Sequence, residues 1–242
     1  FTGVIEGSVG SERIIRMLNV SEGHLVIDEK GIYSLEKFLI ARRLMYWQVY
    51  MHKTVLSAES LLVRLLKRAR ELSVSGKDIY TTPSLKFFLK NRIEKPDIWR
   101  ERMYTPGLIA SNFVRLDDSD ILASSKYWAD SSDMILSNLA KRLINRDLFA
   151  IELQNEPFTK EKSTTVRQKA IEQLDLDQST VEYFVYSGSV SNLAYTPEAP
   201  EVKILLKNGA TDVISSVSDM FDQRFISERI VKYFLCYPKE IR

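Results

Sequence analysis

The sequence is poor in the residues from which most catalytic centres are built. One cysteine, Cys236, stands among 242 residues, which excludes an internal disulfide and suits a reducing, cytoplasmic compartment. Two histidines occur, His24 and His52; neither is followed by Asp, and no His or Cys pair has zinc-ligand spacing. A Ser or Cys nucleophile therefore finds no positioned base. A Walker-type phosphate loop and a dinucleotide fingerprint are both missing. No apolar run approaches the roughly 18 residues of a membrane span. The start, Phe1-Thr2-Gly3-Val4, lacks the basic and apolar segments of a signal peptide, and it also lacks Met, as expected of a piece cut from a longer protein. The formal net charge is only +2, which argues against a dedicated nucleic-acid binder while leaving local patches open. By motif, these residues assemble no catalytic site and no metal site.

Glycine and proline are missing from one long stretch as well. Ile32 to Ser75 contains neither, with Gly31 before it and Gly76 after it. Leu, Ala, Lys, Arg and Glu fill much of it, so helix is expected. Unbroken, it would run roughly 60 Å, longer than a domain of this size is wide. It is read as the spine, in one helix or two stacked end to end. Leu35, Phe38, Leu39, Met45, Val49, Leu56, Leu62, Leu65, Leu66 and Ala69 form its core-facing stripe. A second stripe carries Arg42, Tyr46 and Tyr50 at i, i+4 and i+8, with Lys53 one further turn along and His52 nearby. A guanidinium can grip a phosphate bidentately, and rings one and two turns away can pack on a sugar or base. The competing reading makes Tyr46, Trp47 and Tyr50 core aromatics, with Arg42 snorkelling to solvent.

The rest of the chain reads as shorter pieces. Ser11 is expected to cap a helix carrying Ile14, Ile15 and Leu18; His24–Asp28 is expected as a strand, and Ser34 as the cap of the spine, with Glu36 set against its dipole. Gly76, Pro83, Pro96, Pro106 and Gly107 divide residues 76–115 into short segments. Leu61 to Arg102 holds 11 Lys or Arg against 5 Asp or Glu, read first as a solvated face and second as a docking surface for phosphates or an acidic partner. Asp117 or Asp118 should cap a helix ending at Trp128, and Ser131 or Ser132 the next. Asp117, Asp118, Asp120, Asp130 and Asp133 do not have EF-hand spacing, and capping explains most of them. Beyond Arg146 the pattern turns to strands at Leu148–Leu153, Val181–Tyr186, Val202–Leu206, Thr211–Ile214 and Ile230–Cys236. A polar helix is expected over Lys160–Leu174, a hairpin at Asn208-Gly209, and a short helix around Val217–Phe221.

Ala41-Arg42-Arg43-Leu44-Met45-Tyr46, followed by Val49-Tyr50-Met51-His52-Lys53, resembles the post-catalytic helix of HD-domain phosphohydrolases, in particular the deoxynucleoside triphosphate triphosphohydrolase branch. Phe1-Thr2-Gly3-Val4 resembles the segment after the family's last metal-binding Asp, and Arg146-Asp147-Leu148-Phe149 the start of its C-terminal α+β region. The resemblance implies a mostly α, HD-like helical region over residues 1–147 and a small α+β domain with an antiparallel sheet over 148–242. It implies that residues 35–53 line a nucleotide pocket and residues 54–75 pack or assemble, with a kink near Lys53 and Thr54. Arg42 would hold substrate phosphates and Tyr50 would pack on the deoxyribose. Tyr46 stands where some members place a histidine, and Met51 where some place a glutamine. The implied cofactor is a divalent metal held by a His, a His-Asp pair and a later Asp, all upstream of Phe1, so the chain alone is expected to be inactive. Partners implied are a deoxynucleoside triphosphate and further copies of the chain. Two other readings are a non-catalytic oligomerisation or nucleotide-sensing module, and a nucleic-acid binder using the basic stretch.

Overall fold

A computed structural model describes residues 5, 8–94, 106–192, 202–220 and 230–242. Phe1-Thr2-Gly3-Val4, Gly7, Pro96, Phe221 and the basic stretch beyond Glu94 lie outside the described residues. The chain is mostly helical with two small sheets. It divides into two compact units, each drawing residues from both sides of position 147: Phe1–Val55, Leu153–Pro157 and Gly188–Phe234 in one, Leu56–Glu152, Phe158–Ser187 and Leu235–Arg242 in the other.

In the first unit, α1 (Ser11–Arg16) leads into the hairpin β1 (Leu18–Ser21) and β2 (His24–Asp28). Gly10, not Ser11, occupies the cap position, and no side chain caps the helix. Leu18 pairs with Ile27 in the hairpin instead of extending the helix. Strands β5 (Lys203–Leu205) and β6 (Thr211–Val213) form a second hairpin, turned at Gly209 with φ +85°, the left-handed conformation that favours glycine. The two hairpins join through a parallel β2–β5 pair into a sheet of order β1-β2-β5-β6.

Helix α2 (Ile32–Met45) packs on that sheet. Ile32, Leu35 and Leu39 meet Ile27, Ile204 and Ile214 in one buried cluster, Ile214 coming from the short helix α10 (Ile214–Val217). Each fully buried aliphatic side chain contributes about 1.5–3 kcal/mol, so this seam fixes the rotation of α2 and thereby aims its other faces. The helix begins at Ile32, two residues before the expected cap Ser34. Glu36 is not set against the dipole: it is buried and accepts a hydrogen bond from the Ser218 hydroxyl. The start is decided by Gly31. A Cβ there would stand 2.7 Å from Ile27 Cγ2 and 2.9 Å from Met17 Cβ, so only glycine lets the chain pass the hairpin this closely.

In the second unit, α3 (Lys53–Val74) stops at Gly76 with φ +82°, as the sequence predicts. Its buried stripe runs Leu56, Leu61, Leu65, Ala69, Leu72; Leu61 is buried where Leu62 was expected, and Leu62 and Leu66 are half-buried. Around it lie α4 (Pro83–Lys90), α5 (Pro106–Arg115), α6 (Asp118–Trp128) and α7 (Met134–Ile144). Asp117 caps α6 in a capping box with Asp120. Asp133, not Ser131 or Ser132, caps α7. Helix α6 packs on α7, and Trp128 at the end of α6 is buried and donates its indole N–H to the Tyr80 carbonyl at 2.7 Å. Helix α8 (Lys160–Leu174) has the expected bounds and is capped by Thr159.

Val181–Phe184 is a helical turn, α9, and not a strand. Asp177 accepts from the backbone N–H groups of Ser179 and Thr180, and this local turn starts a helix that overrides the β propensity of Val-Glu-Tyr-Phe. The strand follows as β4 (Tyr186–Asn192). With β3 (Ala150–Gln154) and β7 (Ile230–Tyr237) it makes a sheet of order β3-β7-β4.

Candidate functional site

At Met45 the spine changes geometry. Tyr46–Tyr50 form a π-helical turn, closed by Met51 N–H on the Tyr46 carbonyl at 2.7 Å, and α3 begins anew at Lys53. The break falls at Met51 and His52, and His52 Nδ1 accepts the Thr54 N–H at 3.2 Å, which serves the start of α3. The wide turn matters for the second stripe. Eight residues of regular α-helix would carry Tyr50 about 80° around the axis from Arg42. A turn closing on the fifth residue absorbs about one residue, which cuts the offset to about 20°. Arg42, Tyr46 and Tyr50 are therefore one wall.

That wall bounds an open cavity of about 350 Å³, lined by Val9, Phe38, Ala41, Arg42, Met45, Tyr46 and Tyr50. The Arg42 guanidinium carbon lies 5.6 Å from the Tyr46 ring centre, and the Tyr46 and Tyr50 ring centres are 5.2 Å apart at 52°. Tyr50 is 57% exposed and Tyr46 half-buried, so neither belongs to the closed core. Phe38, assigned by periodicity to the core stripe, is 39% exposed and faces the cavity with them. Trp47 points elsewhere and carries the Lys232 ammonium 4.8 Å from its ring. Lys53, the first residue of α3, is exposed and is not among the described residues lining the cavity. Sequence reasoning passed over Val9; Ala41 and Met45 fall within residues 35–53, which the resemblance places along the pocket, although periodicity assigned Met45 to the core stripe.

The other candidate groups have internal partners. Arg68 grips Asp133 bidentately through one guanidinium edge, Nε at 3.0 Å and Nη2 at 2.6 Å, and this pairing holds the Asp133 carboxyl below the usual range. Arg64 lies 4.5 Å over the Tyr186 ring, Arg70 donates to the Phe88 carbonyl, and Lys86 and Arg92 pair with Asp78 and Glu94. Much of the basic stretch is thus internal architecture. Among the described residues no three His, Cys, Asp or Glu side chains are grouped to hold a metal ion. No helix among the described residues is long and apolar enough to cross a membrane.

Residues 9–92 match the HD associated region. All seven residues lining the cavity lie inside this matched segment, as do the π-turn and the whole of α3. Over 97% of its length the chain is similar to the crystal structure of a phosphohydrolase, BT4208, from Bacteroides thetaiotaomicron, with 40% identity and a TM-score of 0.85. It covers 57% of that chain. The fold is shared with a hypothetical protein from Aquifex aeolicus, at 20% identity and TM-score 0.59, of which it covers 51%. Among curated relatives, it is 29% identical to the uncharacterized protein YwfO of Bacillus subtilis over all of this chain and 53% of that one. It is 28% identical to the uncharacterized protein MJ1154 of Methanocaldococcus jannaschii over 53% of this chain and 33% of that one. The chain spans about half the length, or less, of these relatives. The chain is thus similar to an HD associated region over residues 9–92 and, in fold, to a phosphohydrolase.

Proposed function

We propose that this chain forms the substrate wall of a cytoplasmic HD-type phosphohydrolase acting on nucleotides, with deoxynucleoside triphosphates as the preferred class. The observation that carries the reading is the alignment of Arg42, Tyr46 and Tyr50 on one side of a roomy cavity within the HD-associated region. The guanidinium offers a planar fork of donors matched to phosphate oxygens. The Tyr46 ring holds that fork from one side, and the Tyr50 ring presents an exposed face on which a sugar can pack. Arg42 and Arg43 also sit in the last turn of α2, where the helix dipole favours positive charge, so the cations are placed without cost to the helix.

In this reading the chain binds and orients, while the metal that polarises the phosphoryl group and activates water is held by residues outside these 242. The test compares the chain alone with a longer protein that carries an upstream His-Asp motif. The longer protein should release phosphate from deoxynucleoside triphosphates in the presence of divalent metal, and the chain alone should bind without turnover. Turnover by the chain alone would overturn the division of labour. Absence of nucleotide hydrolysis by the longer protein would replace the enzyme with a nucleotide-sensing or assembly module.

A further inference from the structure

A second cavity of about 350 Å³ lies within the other compact unit, between α8, the end of β7 and the final turn at Lys239–Ile241. Its polar lining is unbalanced. Lys162, Lys169 and Arg242 face it, against the single carboxylate of Glu152. Both Glu152 oxygens are occupied, one by the Lys162 ammonium at 2.5 Å and the other by the Tyr237 hydroxyl at 2.7 Å. Lys169 and Arg242 remain, and neither has an ion pair among the described residues. Arg242 nonetheless reaches the same end of the cavity. Burial raises the Glu152 carboxyl, but the Lys162 and Tyr237 hydrogen bonds, with the charges of Lys162 and Arg242, bring it below the usual range. Val166 and the buried Ile241 supply an apolar floor.

We propose that this cavity binds a small phosphorylated molecule, its phosphate held between Lys169 and Arg242 and its organic part on Val166 and Ile241. A phosphate carries about −1.5 to −2 at neutral pH and several acceptor oxygens, so one group can engage both the Lys169 ammonium and the Arg242 guanidinium. An Arg fork and a Lys point charge can engage different oxygens of the same group. The volume falls at the small end of ligand pockets, which suits a phosphorylated sugar or triol better than a peptide. The site is independent of the wall formed by Arg42, and it would survive the failure of the nucleotide reading.

The experiment titrates inorganic phosphate and glycerol 3-phosphate into the full chain by calorimetry, in an Arg42→Ala background that silences the first cavity. Both probes should bind, glycerol 3-phosphate more tightly. The exposed pair Lys169→Ala and Arg242→Ala together should weaken both by about a hundredfold or more, the scale of two lost charge-assisted hydrogen bonds, with the thermal melt unchanged. Arg167→Ala removes an exposed cation of the same helix that is not part of the cavity lining, and it should leave affinity unchanged. Equal losses from Arg167→Ala and the pair would reduce the binding to diffuse surface charge and overturn the site. So would an affinity unmoved by the pair, or no binding of either probe.

Discussion

The guanidinium carbon of Arg42 stands 5.6 Å from the centre of the Tyr46 ring, one helical turn further on. This cation–ring contact holds the fork at the cavity wall rather than letting it roam in solvent. In the longer protein, Arg42→Ala should weaken nucleotide binding by about 1.5–3 kcal/mol, the usual worth of a hydrogen bond to a charged group. Arg42→Lys should recover only part of this, because an ammonium cannot reproduce the planar fork. Calorimetric affinities for a deoxynucleoside triphosphate decide it, and unchanged affinity in Arg42→Ala would return that side chain to the surface.

Gly31 is held by its neighbours, not by its backbone angles. A methyl group there meets Ile27 Cγ2 at 2.7 Å and Met17 Cβ at 2.9 Å, and the second of these cannot swing away because it is fixed to the main chain. Gly31→Ala should cost about 1–3 kcal/mol, as overpacking does. Adding Ile27→Val should restore part of it. Urea unfolding midpoints would show whether the two changes couple.

Trp128 is 1% exposed and gives its only hydrogen bond to the Tyr80 carbonyl. Trp128→Phe removes the donor, strands that carbonyl and leaves a void, so a loss of about 2–4 kcal/mol is expected from the two effects together. A mutant with wild-type stability would mean that solvent reaches the carbonyl.

Three groups should make the protein sensitive to alkali. Burial pushes the Cys236 thiol up to about 12 from 9.0, outweighing the opposing Tyr186 hydrogen bond and Arg64 charge. Burial, with Glu71 and Glu152 as respective acceptors, pushes Tyr183 and Tyr237 up to about 12 from 10.0. Raised folded values mean that the folded state keeps protons which the unfolded chain gives up. Their stabilisation is therefore full below pH 9.0 and is lost progressively as pH rises toward about 12. Denaturant melts across this range should show the decline, and it should be shallower in Cys236→Ala. A thiol reagent should label Cys236 no faster than the chain opens.

Several elements were legible because their causes are local. Thr159 and the polar run after it set α8, Gly76 stops α3 in a left-handed turn, Asp117 caps α6, and Asn208-Gly209 turns the second hairpin. The Arg42, Tyr46, Tyr50 stripe was legible in part: i, i+4 neighbours follow from spacing along one helix, whereas the alignment of Tyr50 with Arg42 comes from the π-turn. Val181–Phe184 was misread because β propensity describes a pleated surface, and the Asp177 turn supplied no such surface.

What the sequence determined by itself is the set of segments, the Gly-bounded spine and the chemistry of its polar stripe. What only the tertiary structure decided is how those segments meet. Parallel pairing of β2 with β5 and the meeting of Lys169 with Arg242 at one cavity both join positions far apart in the chain. Nothing local encodes such meetings, because each depends on the summed burial of many side chains at once. The π-turn lies between the two cases. Its residues are local, yet it follows directly on a helix whose buried face is packed against its sheet.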